Sequence, residues 1–86
     1  YIVVANEGEP NDEYTSDPEG SISVIDLSRG EKNATVTDID FKSYNDSIDV
    51  LRKRGIRIYG PGATVAQDLE PEYIAISADS KTAWVT

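Results

Sequence analysis

The 86-residue chain contains no cysteine, no histidine and no methionine. Without cysteine there is no disulfide framework to staple so small a domain, and no thiolate nucleophile. The redox compartment stays open, because secreted bacterial proteins also do without cysteine. Without histidine the chain lacks the commonest general base and the commonest transition-metal ligand. It cannot build a Ser-His or Cys-His nucleophile system from its own residues. Aromatics are sparse: one Trp, one Phe and five Tyr. Basic residues number eight against sixteen acids, for a net charge of −8. That balance argues against nucleic acid as a partner and favours hard cations or basic partners. No apolar run approaches the roughly 20 residues needed to cross a bilayer, so no membrane span is expected in this segment. The chain opens within one strand-like run, "YIVVAN", with neither initiator Met nor signal peptide, and stops within another, "TAWVT". The expectation is a segment of a longer protein.

What is present reads mainly as strands. Tyr1 to Ala5 is a β-branched run. Asn6 to Gly20 is rich in turn formers and reads as a loop. Ser21 to Leu27 alternates, with Ile22 and Val24 on one side and Ile25 on the other. "SRGEKN" reads as a hairpin turn, and Thr35 to Phe41 as a third strand. A short helix follows, with Ile48 and Leu51 on one face, Asp46 or Ser47 as its N-cap and Gly55 just past its end. "GPGATVAQ" reads as a loop or an irregular edge. "EYIAIS" and "TAWVT", joined by "ADSK", predict a closing β-hairpin.

Two acidic phrases and one basic phrase carry candidate chemistry. "NEGEPNDE" sets Glu7, Glu9 and Asp12 beside Asn6 and Asn11, with Gly8 and Pro10 bending the backbone. Calcium takes about six to eight oxygen ligands, and this loop offers many. Its spacing is not that of an EF-hand, and a solvated acidic loop explains the same composition. In "QDLEPEY", Asp68, Glu70 and Glu72 alternate, so an extended backbone would project all three to one side. Three carboxylates so placed repel unless a cation or solvent screens them. The competing explanation is that Pro71 and Glu72 only shape the start of a strand. "RKRGIR" offers Arg52, Arg54 and Arg57 to a phosphate or another anion, against the simpler account of a solvated helical face. "GPG" lacks the spacing of a phosphate loop.

Read in order, "YIVVAN", "ISVID" and "IAISADSKTAWVT" resemble the β-propeller repeat of the YVTN and surface-layer type. "VVANEGEPNDEYTSDPEGSISVIDL", "GIRIYGPGATVAQDLEPEYIAIS" and "KTAWVT" look more closely like the choice-of-anchor I family of secreted and cell-surface bacterial proteins. This resemblance spans nearly the whole chain. It implies an all-β fold: a β-propeller fragment of about one and a half blades of antiparallel strands. Residues 1–86 would be part of a single propeller domain, with 42–67 as an insertion carrying a short helix. It also implies an extracellular or cell-surface location. The remaining blades of the same protein, or other copies, would be its immediate partners, with an extracellular or cell-surface partner beyond them.

The function so implied is a binding or scaffold module. Ca2+ would be its cofactor, drawn to Glu7, Glu9, Asp12, Asp68, Glu70 and Glu72. In the propeller register "DLEPE" leads into the innermost strand of one blade, while Glu7 leaves the second strand of its neighbour. Glu7 is therefore expected to meet Glu70 or Glu72 around a divalent ion. The family is also labelled alkaline phosphatase-like or phytase-like. The alternative is thus a metal-dependent phosphoesterase, in which ions polarise a phosphate and activate water. Arg52, Arg54 or Arg57 would then clamp the phosphate. A third reading is a purely structural piece, folded only with the rest of its ring.

Overall fold

The structure is a computed structural model and describes residues 1–86. Alternating apolar and small polar residues place β1 (Ile2–Asn6), β2 (Ser21–Asp26) and β3 (Thr35–Asp40) in one antiparallel sheet of order β1-β2-β3. Its register pairs Val3 with Val24 and Ala5 with Ile22, and Ile22 in turn with Ile39. Since successive side chains change face, these residues share one side. Ile2, Ile25 and Val36 align across the three strands on the other. Asn6 and Ser23 stiffen that second face. The Asn6 amide donates to the hydroxyls of Ser21 (3.1 Å) and Ser23 (2.9 Å), and the Ser23 hydroxyl donates to Asp38 (2.6 Å).

The closing hairpin forms as the alternation predicts. β4 (Ile74–Ile76) and β5 (Ala83–Val85) pair antiparallel, Ile74 opposite Val85 and Ile76 opposite Ala83. Its Ile74, Ile76 and Ala83 line an open groove of about 860 Å³ with Val3 and Val24 of the first sheet. The two sheets thus turn apolar faces toward one another. This all-β arrangement, two antiparallel sheets plus short helices with no closed barrel, is the one expected of a propeller fragment.

Between the sheets the chain turns helical. A 3-10 stretch over Lys42–Ser47 runs into α1 (Ile48–Lys53). Ser47 holds the N-cap position, yet its side chain makes no capping bond. The other end matches expectation. Gly55 adopts φ +92°, its N–H donates to the Arg52 carbonyl and the Ile56 N–H donates to the Leu51 carbonyl, which is a Schellman closure. The loop expected over "GPGATVAQ" is corrected by α2 (Val65–Asp68). There Thr64 and Gln67 form a reciprocal capping box, which satisfies two N–H groups that so short a helix would otherwise leave unpaired. Asp68 is accordingly helical, and the extended run expected for Asp68, Glu70 and Glu72 begins only after it.

The small core sits at α2. Val65 and Ala66 are fully buried, Ile58 is 3% exposed, and Gly20, Gly60 and Pro71 complete the buried set. The Ala66 N–H donates to the Asn45 side chain (2.9 Å), and the Ala66 carbonyl accepts from the Gly20 N–H (2.9 Å). Gly20 therefore begins β2 pressed against the far end of the chain. A Cβ at Gly20 would meet the Leu69 carbonyl oxygen, Pro71 Cδ at 2.6 Å and the Glu7 carbonyl oxygen at 3.0 Å. Backbone atoms cannot rotate away as a flexible side chain can. Gly20→Ala is expected to cost about 3 kcal/mol or more, at the upper end for overpacking. Gly30 has open space around it and φ +84°, so Gly30→Ala should cost only the left-handed penalty of roughly 1–2 kcal/mol. Denaturant melts of both variants check the ordering.

Candidate functional site

The acidic loop is organised by one residue at its tip. The Asn11 side-chain oxygen accepts from the Thr15 (2.9 Å) and Ser16 (2.8 Å) N–H groups, while its amide donates to the Thr15 hydroxyl (2.7 Å) and to Glu13 (3.3 Å). Tyr14 takes φ +52° within this turn. Asp12 lies on the exposed tip so formed. The base of the loop is fixed from elsewhere. Gln67 of α2 donates to the Asp17 carbonyl (2.9 Å), and Gly8 at φ +73° lies against the backbone of Glu19 and Gly20. Lys42 pairs with Glu19 at 3.1 Å, an exposed contact that adds little stability by itself.

Asp68 has a structural task. Its two carboxylate oxygens accept from the N–H groups of Tyr59 (2.6 Å) and Gly60 (3.0 Å). Gly60 permits this approach, because a Cβ there would strike the same carboxylate. Past Asp68 the chain forms a ridge. On one side Asp68, Leu69, Glu70 and Pro71 line a cavity of about 340 Å³ with Ile22, Phe41 and Val85. On the other, Asp68, Glu70 and Glu72 share an open groove of about 610 Å³ with Tyr14, Arg57 and Tyr59.

Glu70 sits where the acidic phrases converge. Desolvation is the largest cause raising its carboxyl above the ordinary glutamate value. The negative charges of Asp68, Glu7, Asp17 and Glu9 follow, in that order. Glu7 and Glu9 from the first phrase thus lie in the field of Glu70 from the second, across the junction of the two sheets. Asp17 joins them and was not singled out in the sequence. Its only signal there is the turn pair Asp17-Pro18, which says nothing of a distant carboxylate. No three acidic side chains close to metal-ligand spacing in this structure.

The basic candidates divide. Arg57 alone of the three lines the groove beside Glu70 and Glu72. Its guanidinium donates to the Tyr59 hydroxyl (2.6 Å) and lies 5.0 Å from that ring's centre. Arg52 donates from Nε to the Ile58 carbonyl (2.7 Å) and reaches Asp49 at 4.0 Å. Arg54 is exposed at the end of α1.

The family model of the choice-of-anchor I domain matches residues 1–86, the full length of the chain. The chain belongs to the choice-of-anchor I family. No curated protein and no solved structure shows a significant match. The name of the choice-of-anchor I domain points to association with a surface anchor. No helix of this domain is long and apolar enough to cross a membrane.

The electrostatics of the junction give a pH signature. A carboxyl whose value is raised on folding favours the protonated folded state. Its relative stabilisation is full in acid, below the unfolded glutamate value, and is lost as pH rises through the folded value. Glu70→Gln should therefore melt higher than wild type at neutral pH in chelator-treated buffer. The gap should close on acidification, as Glu70 becomes neutral in both states. Thermal melts of the two proteins between about pH 3 and 8 read this directly.

Proposed function

We propose that this choice-of-anchor I chain is part of a secreted or cell-surface β-propeller that acts as a binding or scaffold module, with Ca2+ held at the sheet junction. One observation carries the reading. Glu7, Glu9, Asp17 and Asp68 all act on the Glu70 carboxyl, and each raises it. A hard divalent cation turns that mutual repulsion into attraction and is suited by carboxylate oxygens. Glu7, Glu9 and Glu70 are the residues that would hold the ion, with Asp17 beside them. Asp68 contributes its field, since both its oxygens already accept backbone N–H groups. Glu72 borders the same groove, and Asp12 lies out at the loop tip. The ion would join the loop after β1 to the segment leading into β4, bracing two sheets that share little buried core.

The test is a calcium titration of the full-length protein followed by thermal melting. Ligand at a hundred times Kd adds about 2.7 kcal/mol to the folded state, so the melting temperature should climb with Ca2+. Glu70→Gln should blunt the rise. Identical melting of both proteins with and without Ca2+ would sink the ion.

A phosphoesterase is the second reading, favoured by Arg57 sharing its groove with Glu70 and Glu72. A calcium-loaded full-length protein that hydrolyses p-nitrophenyl phosphate, and loses this with Arg57→Ala, would support it. No turnover of several esters with Ca2+, Mg2+ or Mn2+ would remove it.

A further inference from the structure

Charge is unevenly spread over this chain. From Val50 to Tyr59 there are four basic residues and no acid, although acids outnumber bases two to one overall. These bases, Arg52, Lys53, Arg54 and Arg57, surround the exposed end of α1, a helix that buries none of its residues. Lys42, the remaining base of the helical stretch, is already taken by Glu19. No carboxylate pairs with Lys53, Arg54 or Arg57, and Arg52 meets Asp49 only at 4.0 Å. We propose that this corner is a docking surface for an anionic polymer carrying closely spaced phosphate groups.

Three features fit that partner. The corner is organised before binding. Gly55 reverses the chain, Arg52 ties the last turn of α1 to the returning strand through the Ile58 carbonyl, and Tyr59 holds Arg57. Two guanidinium groups are thus fixed with N–H groups to spare, and fixing them beforehand lowers the ordering cost of binding. Guanidinium forks match phosphate oxygens two at a time. Finally, the last turn of a helix carries the negative end of its dipole, so these cations sit there at low cost while remaining unpaired.

A lipid surface fits less well. α1 spans six residues, and its one largely exposed apolar side chain is Val50, too little for an interfacial helix. A polymer needs only the charges and their spacing. The proposal takes from the reading above only that the module binds a surface partner, and it makes no use of the calcium site.

The experiment measures binding of the full-length protein to long-chain polyphosphate, to orthophosphate and to phosphatidylglycerol vesicles, each at several salt concentrations. Polyphosphate should bind well above orthophosphate. The double variant Lys53→Glu/Arg54→Glu should lose about tenfold or more in affinity and flatten the salt slope by roughly two contacts. Arg29→Glu, a charge reversal in the β2–β3 turn, should stay within about twofold. Equal loss in Arg29→Glu, no preference for polyphosphate over orthophosphate, or vesicle binding that polyphosphate fails to compete would each overturn the proposal. Calcium melting is read separately, so the failure of one claim leaves the other standing.

Discussion

The close approach of Gly20 to Ala66 is the constraint on which the rest of the structure depends. Their 2.9 Å hydrogen bond brings the start of β2 against α2, with no room for a side chain between. Because Ala66 also accepts Asn45 as its donor's partner, and Gln67 holds the Asp17 carbonyl, the four residues of α2 gather three separate segments. A helix of one turn is not stable alone. It persists here because its capping box is complete and Val65 and Ala66 are wholly out of water. Most of the chain's burial is concentrated there, so the geometry of the acidic loop follows from it.

That geometry has an electrostatic consequence. Pinning both ends of the loop base to α2 places Glu7, Glu9 and Asp17 in reach of Glu70. Close like charges cost roughly 1 kcal/mol per pair at 4 Å in bulk water, and more where the dielectric is lower. The packing that stabilises α2 is thus the same packing that crowds the carboxylates. The basic residues do not relieve it. Lys42 answers Glu19, and the cations of the α1 corner are held toward their own backbone and Tyr59. The molecule keeps an acidic junction and a basic corner apart, with Arg57 the one base that borders both.

Much of the fold was legible in the sequence. The alternation of "SISVID" and the turn formers around it were enough for the first sheet, and "IAIS", "ADSK" and "AWV" for the hairpin. Gly55 marked the end of α1 because a left-handed residue there has few alternatives. α2 was illegible by periodicity, since four residues do not complete two turns. Its available signal was the Thr64-x-x-Gln67 spacing of a capping box. The error propagated to Asp68, whose extended placement fails because its carboxylate is occupied by N–H groups eight and nine residues earlier. The nearness of Glu7 to Glu70 was expected only through the family resemblance. No local pattern connects residues so far apart.

The distribution of burial explains why the candidate sites fall where they do. The row of Ile2, Ile25 and Val36 on the first sheet, and Tyr73 with Trp84 on the hairpin, remain largely exposed. Two- and three-stranded sheets with open apolar faces are marginal in water. These faces are suited to other β-sheets, and stacking them would leave strand edges and loops as the surfaces free to meet ligands. The acidic junction and the basic corner both lie on such loops, held by α2 and by the Gly55 reversal rather than by either sheet. Rigid placement of charge by a small, well-satisfied turn is what separates these two regions from an ordinary solvated rim. In both, the organising contacts are backbone hydrogen bonds, which leave the charged groups themselves available.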